Sequence, residues 1–367
     1  MRIPTNENET VTPGIGKRIE IPSSATPRVS VIIPALAGTT HLSACLRALA
    51  LHAPVHIPFE TIVVLNNASQ SQASVLADQF IGVTLISTPV NLGLAGSGNY
   101  ARAIARGELF VLLHDDAEVE AGWMEALVVA ADRYADAGAI GGKVLNPDGT
   151  LQNAGKILWN DGSTSSPWIG SAPPPTAFDQ SRAVDYCGTS SLLVRRSTWD
   201  AVGGLDEQFF PAYYVDVDLA MGVRALGQCV MYEPASRIRH HRGASTGLRF
   251  RHFINAKNGE RFRTKWLSAL AAHEPPGPTS IDAINRAMNR CEKVRRHGPF
   301  IKPEAPTQIH AGEDAITREM RHLQMERSLW RDFSDALEGA LDENRSARTT
   351  GKVRRFLGRH ILWRFRA

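Results

Sequence analysis

The stretch 108–118, Glu-Leu-Phe-Val-Leu-Leu-His-Asp-Asp-Ala-Glu, constrains the fold more than any other part of the chain. A run of bulky apolar residues stops abruptly at His114, Asp115 and Asp116, with Glu118 just beyond. An apolar run without alternation fits a strand buried on both faces of a parallel sheet. In open α/β sheets the strand ends are where loops diverge and ligands bind. Carboxylates there are costly to bury without a partner, and a divalent cation is a natural one. The competing reading is a solvated Asp-Asp turn that caps the following helix.

The segments on either side extend the pattern. Residues 29–34 and 61–65 read as buried strands, the first stopped by Pro34 and the second running into the polar turn Asn66-Asn67-Ala68-Ser69. Leu42, Cys45, Leu46 and Leu49 recur at helical spacing between them. A short strand at 83–86, a helix after it and the strand at 109–113 complete an alternating β/α series, which predicts a mostly parallel sheet flanked by helices. A helix over 121–136 and a strand over 139–145 follow. The stretch 91–99, Asn-Leu-Gly-Leu-Ala-Gly-Ser-Gly-Asn, puts small residues at a helix start. There they either let backbone N–H groups approach an anion or allow tight helix–sheet packing. The spacing is not that of a dinucleotide fingerprint, and no P-loop lysine is present.

Residues 160–175 are rich in Gly, Ser and Pro, and a loop of that length in a compact domain points to function. Asp216 and Asp218 open a helix that ends at Gly227; capping and dipole complementarity explain one of them but not readily both. His240 and His241 form a pair just after a strand.

Composition narrows the class. The chain has 367 residues, enough for one large core and an appendage. A net charge of +4 is too small to argue for nucleic acid. The four cysteines lie far apart, which speaks against a zinc knuckle or a disulfide scaffold and fits a reducing compartment. The polar N-terminus has no signal-peptide pattern, and no apolar run reaches the roughly 20 residues that span a bilayer. A cytoplasmic protein is expected.

Together these segments resemble family 2 glycosyltransferases of the inverting, nucleotide-diphosphate-sugar-dependent kind, and the rhamnosyltransferase-like branch in particular. The resemblance runs from about 28 to 247 and is carried by the order and spacing of 29–34, 62–69, 91–99, 113–118, 148–152, 188–196, 203–210, 216–227 and 240–245. It implies a GT-A fold, a single Rossmann-like, mostly parallel sheet flanked by helices. It further implies a sugar donor (a dTDP- or UDP-sugar, dTDP-rhamnose by analogy) and a glycan or lipid-linked acceptor, in cell-surface polysaccharide synthesis. Asp116 and His240 correspond to ligands of a Mn²⁺ or Mg²⁺ ion, His241 being the fallback, and Asp115 to the donor side of the acidic motif. Asp216 corresponds to the general base. Pro34, Ala35 and Asn66 would flank the base and ribose, with Asn91, Gly93 and Asn99 near the diphosphate or ribose. Gly188, Thr189 and Ser190 would line the acceptor side.

Several positions depart from the family pattern. Asn66 and Val215 stand where acids are usual, Ala37 where Asn is common, His114 at the head of the acidic triplet, and Gly222 where Arg is frequent. These departures keep a second reading open, a degenerate GT-A protein that binds nucleotide-sugar or glycan without turnover. A nucleotidyltransferase would need a glycine- and basic-rich loop after the first strand, which is missing.

The resulting organisation is a tail at 1–27, a GT-A domain at 28–250, a helical extension at 251–350 and a basic amphipathic tail at 351–367. A long helix is expected over 313–343. The last segment interleaves Lys/Arg with aromatic and aliphatic residues, a composition suited to peripheral contact with an anionic membrane or to a disordered basic tail.

Overall fold

The structure is a computed structural model that describes residues 18–36, 40–167, 170, 178–241, 247–276, 286, 289–291 and 313–349. The basic tail at 351–367 lies outside the described residues, as do Ala37 and most of 277–312.

In chain order the elements are β1 (Ile19–Glu20), β2 (Val29–Leu36), α1 (Thr40–Leu51), β3 (Phe59–Asn66), α2 (Gln70–Gln79), β4 (Phe80–Ile81), β5 (Val83–Thr88), α3 (Gly93–Ile104) and β6 (Leu109–Leu113). Then come β7 (Ala117–Val119), α4 (Trp123–Arg133), β8 (Ala137–Leu145), β9 (Leu151–Asn153), β10 (Ile157–Leu158), β11 (Thr164–Ser165), β12 (Arg182–Val184), β13 (Ser191–Arg195) and α5 (Arg196–Val202). The chain continues through α6 (Val215–Ala225), β14 (Cys229–His240), α7 (Leu248–Leu270) and α8 (Ala315–Thr349).

The central sheet has ten strands, eight of them in the order β12-β14-β8-β13-β6-β2-β3-β5, with β7 paired to β14 and β9 to β8. The alternating β/α series gives the four parallel strands β6-β2-β3-β5. The sheet as a whole is mixed. β13 enters antiparallel between β6 and β8, because β8 and β13 are joined by an excursion without a crossover helix.

The apolar run that opened the sequence reading is β6, and all five of its residues are buried. Its side chains divide between two cores. Phe110 and Leu112 join Ile32, Ile62, Leu192 and Val230 on one face, while Val111 and Leu113 join Val31, Val63, Leu193 and Met231 on the other. This two-sided burial removes the hydrophobic alternation that a half-exposed sheet shows.

Both late helices pack back onto the sheet-bearing domain. Phe262 and Trp266 of α7 belong to the first core, and Ile254 meets Phe210 and Leu329 in a smaller cluster. His322 of α8 is fully buried, and its Nε2 would lie 2.6 Å from a Cβ at Gly96, so the glycine leaves room for α8 beside α3. Arg321 bridges Glu207 at 2.6 Å, and Phe250 stacks on Trp330 with ring centroids 4.5 Å apart.

Candidate active site

Sheet register assembles the site from distant segments. β14 runs parallel to β8 and ends antiparallel to β7, which sets His240 opposite Ala117 and so beside the acids that follow β6. β13 pairs Ser191 with Leu113, which brings the residues before it alongside His114.

The outcome is a cluster of three side chains. His240 Nε2 lies 2.9 Å from Asp116 Oδ1 and 3.2 Å from His114 Nδ1, and one ligand atom from each of the three falls within 4.8 Å of the others. Gln152 Oε1 accepts from His240 Nδ1–H (2.7 Å), while Gln152 Nε2 donates to the His240 carbonyl at 3.0 Å. A ring held in this way has one nitrogen committed to the protein and the other turned to the cluster. His114 Nε2 meets Thr189 Oγ1 at 3.0 Å, and the His114 N–H donates to the Ser190 carbonyl.

The electrostatics suit ligation. Burial pushes the Asp116 carboxyl up, but the hydrogen bond and charge of His240, with His114 behind it, hold it down at about 2. Burial, the neighbouring His240 and Lys156 lower His114 to about 4 against the pull of Asp116. His114 therefore offers a neutral imidazole across the physiological range, although 31% of its side chain is reached by solvent.

A second acid faces the same segment from the other side. Asp216 sits in the first turn of α6, with Oδ2 3.8 Å from Lys156 Nζ and 3.7 Å from where a Cβ on Gly188 would lie. The run Gly188-Thr189-Ser190 thus touches the His114–Asp116–His240 cluster with Thr189 and approaches Asp216 at Gly188. Asp218 is turned away and buried, held by Lys265 Nζ at 2.8 Å and Trp266 Nε1 at 2.7 Å. Its environment accounts for it as a fold residue.

The remaining sequence candidates are placed as follows. Pro34 and Ala35 lie at the end of β2, where the Leu36 N–H donates to Asp115 Oδ2 at 3.3 Å. Asn66 is buried with its amide spent inside the protein: Nδ2 donates to the Ala35 carbonyl (3.2 Å) and Ser97 Oγ (2.8 Å), and Oδ1 accepts from the Leu92 N–H (2.9 Å). Asn91 Oδ1 accepts from the Gly93 N–H, and the Leu94 N–H donates to the Pro211 carbonyl. The first two amides of α3, Gly93 and Leu94, are thereby paired within the protein, an arrangement that fits the packing reading of 91–99. Gly93, at φ +66°, is closed over by the Pro211 carbonyl, 2.7 Å from a Cβ there. Asn99 clamps Leu205 and Glu207. Of the paired histidines, His241 is bound to Glu118 at 2.6 Å, outside the cluster.

Sequence reasoning missed His114 as a member of the cluster, Gln152 as the support of His240, and Asn153 and Lys156 beside Asp216. Gln152 lay in a family-matching segment, and His114 stood beside the acids. Lys156 carried no signal.

The mixed sheet flanked by helices is a fold of the GT-A type. The structure of GalNAc-T7 with UDP, GalNAc and Mn²⁺ shares this fold at a TM-score of 0.53 and 13% identity, over 75% of this chain and 57% of that one. Residues 30–201 match the sequence model of Glycosyl transferase family 2. It is 30% identical over 239 residues to the O-antigen biosynthesis protein RfbC of Myxococcus xanthus, across 62% of this chain but only 18% of that protein. It is 29% identical over 244 residues to N-acetylglucosaminyl-diphospho-decaprenol L-rhamnosyltransferase of Mycobacterium tuberculosis, across 59% of this chain and 78% of that one. Among the described residues no helix is long and apolar enough to cross a membrane.

Proposed function

We propose that the chain is an inverting, metal-dependent glycosyltransferase that moves a sugar from a nucleotide-diphosphate donor to a glycan or lipid-linked acceptor in cell-surface polysaccharide synthesis. The donor is a dTDP- or UDP-sugar, and the rhamnosyltransferase likeness makes dTDP-rhamnose the first to test. One observation carries the reading: the 188–190 loop touches the His114–Asp116–His240 cluster at one end and approaches Asp216 at the other.

The cluster fits a divalent ion by its donor set. Asp116 stays ionised, His114 stays neutral, and His240 is oriented by Gln152. Two imidazoles depart from the all-oxygen shell that Mg²⁺ favours and suit a first-row ion such as Mn²⁺ better. Bound there, the ion would neutralise charge on the departing nucleotide diphosphate. Asp216, beside Gly188, takes the proton from the attacking acceptor hydroxyl as the new glycosidic bond forms. Asp115 and the β2 end at Pro34 and Ala35 border the donor side. Asn66, Asn91, Gly93 and Asn99 hold the walls of that pocket in place.

The test is donor hydrolysis and transfer with Mn²⁺ across dTDP-, UDP- and GDP-sugars, wild type against Asp216→Asn. The reading expects transfer to fall by at least about 100-fold in the variant, in line with the loss of a general base, with nucleotide binding retained. Equal transfer by wild type and variant refutes the assignment. Nucleotide-sugar binding with no turnover by the wild type on any donor supports the degenerate, binding-only reading instead.

A further inference from the structure

The side chains that surround Gly188 beside Asp216 are not accounted for by the chemistry above. Three side chains converge on the bare Cα face of Gly188: a Cβ there would lie 3.3 Å from Asn153 Nδ2, 3.7 Å from Asp216 Oδ2 and 3.8 Å from Lys156 Nζ. Asn153 closes β9 and is only 5% exposed. Its Oδ1 is buried and has no hydrogen-bond partner among the described residues. An amide oxygen left unmet in a buried position is costly and marks a place where a ligand or an ordered water is able to meet it.

Lys156 shows a matching surplus. At 3.8 Å its ammonium attracts Asp216 but stands too far for a hydrogen bond. The Lys156 N–H donates to the Tyr186 carbonyl at 2.9 Å, and the Nζ lies 5.1 Å from the centroid of the Tyr186 ring. Backbone and ring together fix a cation with donors to spare beside an acceptor oxygen lacking a donor.

We propose that Asn153, Lys156 and Gly188 form the acceptor-sugar subsite and recognise the hydroxyl next to the one that attacks. The idea rests on Asp216 acting as the base. The ligand class is a pyranoside with a free vicinal diol. One hydroxyl gives its proton to Asp216 Oδ2 as it attacks; its neighbour donates to Asn153 Oδ1 and accepts from Lys156 Nζ. Gly188 is needed because a methyl group at that position would occupy the space between the three side chains. The subsite thus selects the acceptor, while the cluster around Asp116 serves the donor.

The experiment uses the full chain with Mn²⁺ and the donor found active in the screen. Acceptors are octyl glycosides of N-acetylglucosamine, glucose, galactose and rhamnose, each with a matching analogue deoxygenated beside the accepting position. Lys156→Met is the main variant, since that side chain is 25% exposed and its loss does not threaten the fold. Asn153→Ala and Gly188→Ala accompany it. Lys156→Met and Asn153→Ala are expected to raise the acceptor KM about tenfold, the factor one hydrogen bond supplies, a larger factor than either variant's change in acceptor-independent donor hydrolysis. The deoxy acceptor loses both contacts, so its rise with wild type should exceed that of either variant on the full acceptor, and Lys156→Met should raise it no further. Gly188→Ala should abolish transfer but spare hydrolysis. An unchanged acceptor KM, or hydrolysis falling in step with transfer, overturns the proposal. If Asp216→Asn transfers normally, the base assignment fails instead; saturation-transfer NMR with the octyl glycosides then reads the subsite directly, and equal binding by wild type and Lys156→Met overturns it.

Discussion

Replacing Asn258 tests how the acid at the start of α6 is held. The two residues before α6, Tyr213 and Tyr214, are both left-handed, at φ +68° and +66°. For non-glycine residues this conformation costs about 1–2 kcal/mol each, so the turn needs support from outside. α7 provides it. Asn258 is fully buried, and its Nδ2 donates to the carbonyls of Phe209 (3.1 Å), Ala212 (2.8 Å) and Tyr213 (3.3 Å). Two hydrogens shared among three acceptors amount to two bonds' worth. Its Oδ1 is buried and has no partner among the described residues. Asn258→Ala strands about two carbonyls, at about 1–3 kcal/mol each, but also removes an unmet oxygen of similar cost, for a net loss of about 1–3 kcal/mol. Asn258→Asp keeps the shape and does more harm, because it points acceptors at acceptors. An ionised carboxylate there is an unpaired buried charge, worth about 3–5 kcal/mol. The alternative is protonation, which raises its folded-state pKa above the unfolded value. The stability of the Asp variant should then fall as pH rises from 5 to 7, since the folded state binds more protons. Urea unfolding at both pH values measures each quantity. If the Asp variant is as stable as the Ala variant at pH 7, the clamp is not what holds the turn.

Three further outcomes follow from the charges. Asp185 is buried between Arg224 (2.9 Å) and Arg290 (2.7 Å), and Asp185→Asn should cost about 3–5 kcal/mol by urea unfolding. Burial raises the Asp185 carboxyl, but the two arginines outweigh it and hold it well below the usual range. Its contribution is therefore complete above the unfolded pKa near 4 and fades as pH falls below that, so the wild type should lose stability in acid more steeply than the variant. Gln152→Leu, which releases His240, should weaken Mn²⁺ binding by about 10–100-fold in calorimetry with little change in melting temperature.

The four parallel strands β6-β2-β3-β5 were legible because each is local in sequence and bounded by its own turn or proline. β6 announced itself by losing alternation, the mark of burial on two faces. The antiparallel insertion of β13 was not legible, since nothing local to 191–195 says which neighbours it takes. The same limit explains 91–99. Glycines at a helix start are equally ready for an anion or for close packing, and the choice was made by the Pro211 carbonyl from over a hundred residues away.

The site shows what short-range reading can settle. Asp216 and Asp218 are two residues apart on α6, and at 3.6 residues per turn two steps rotate a side chain by about 200°. Sequence alone therefore forbids both acids from serving one cleft, and it could have said so. It could not say which faces inward, because Lys265 and Trp266, which hold Asp218, lie 47 and 48 residues on, in a helix where the family likeness fades. The placement of Asp216 is thus set partly by exclusion: α7 fixes its neighbour inward and leaves it towards Gly188. That makes α7 part of the machinery that presents the acid, and Lys265→Met should disturb transfer through Asp218 and the start of α6 without touching either substrate. A loss of kcat with donor and acceptor KM unchanged is the expected result, and an unaltered kcat would mean that α6 holds its phase without α7.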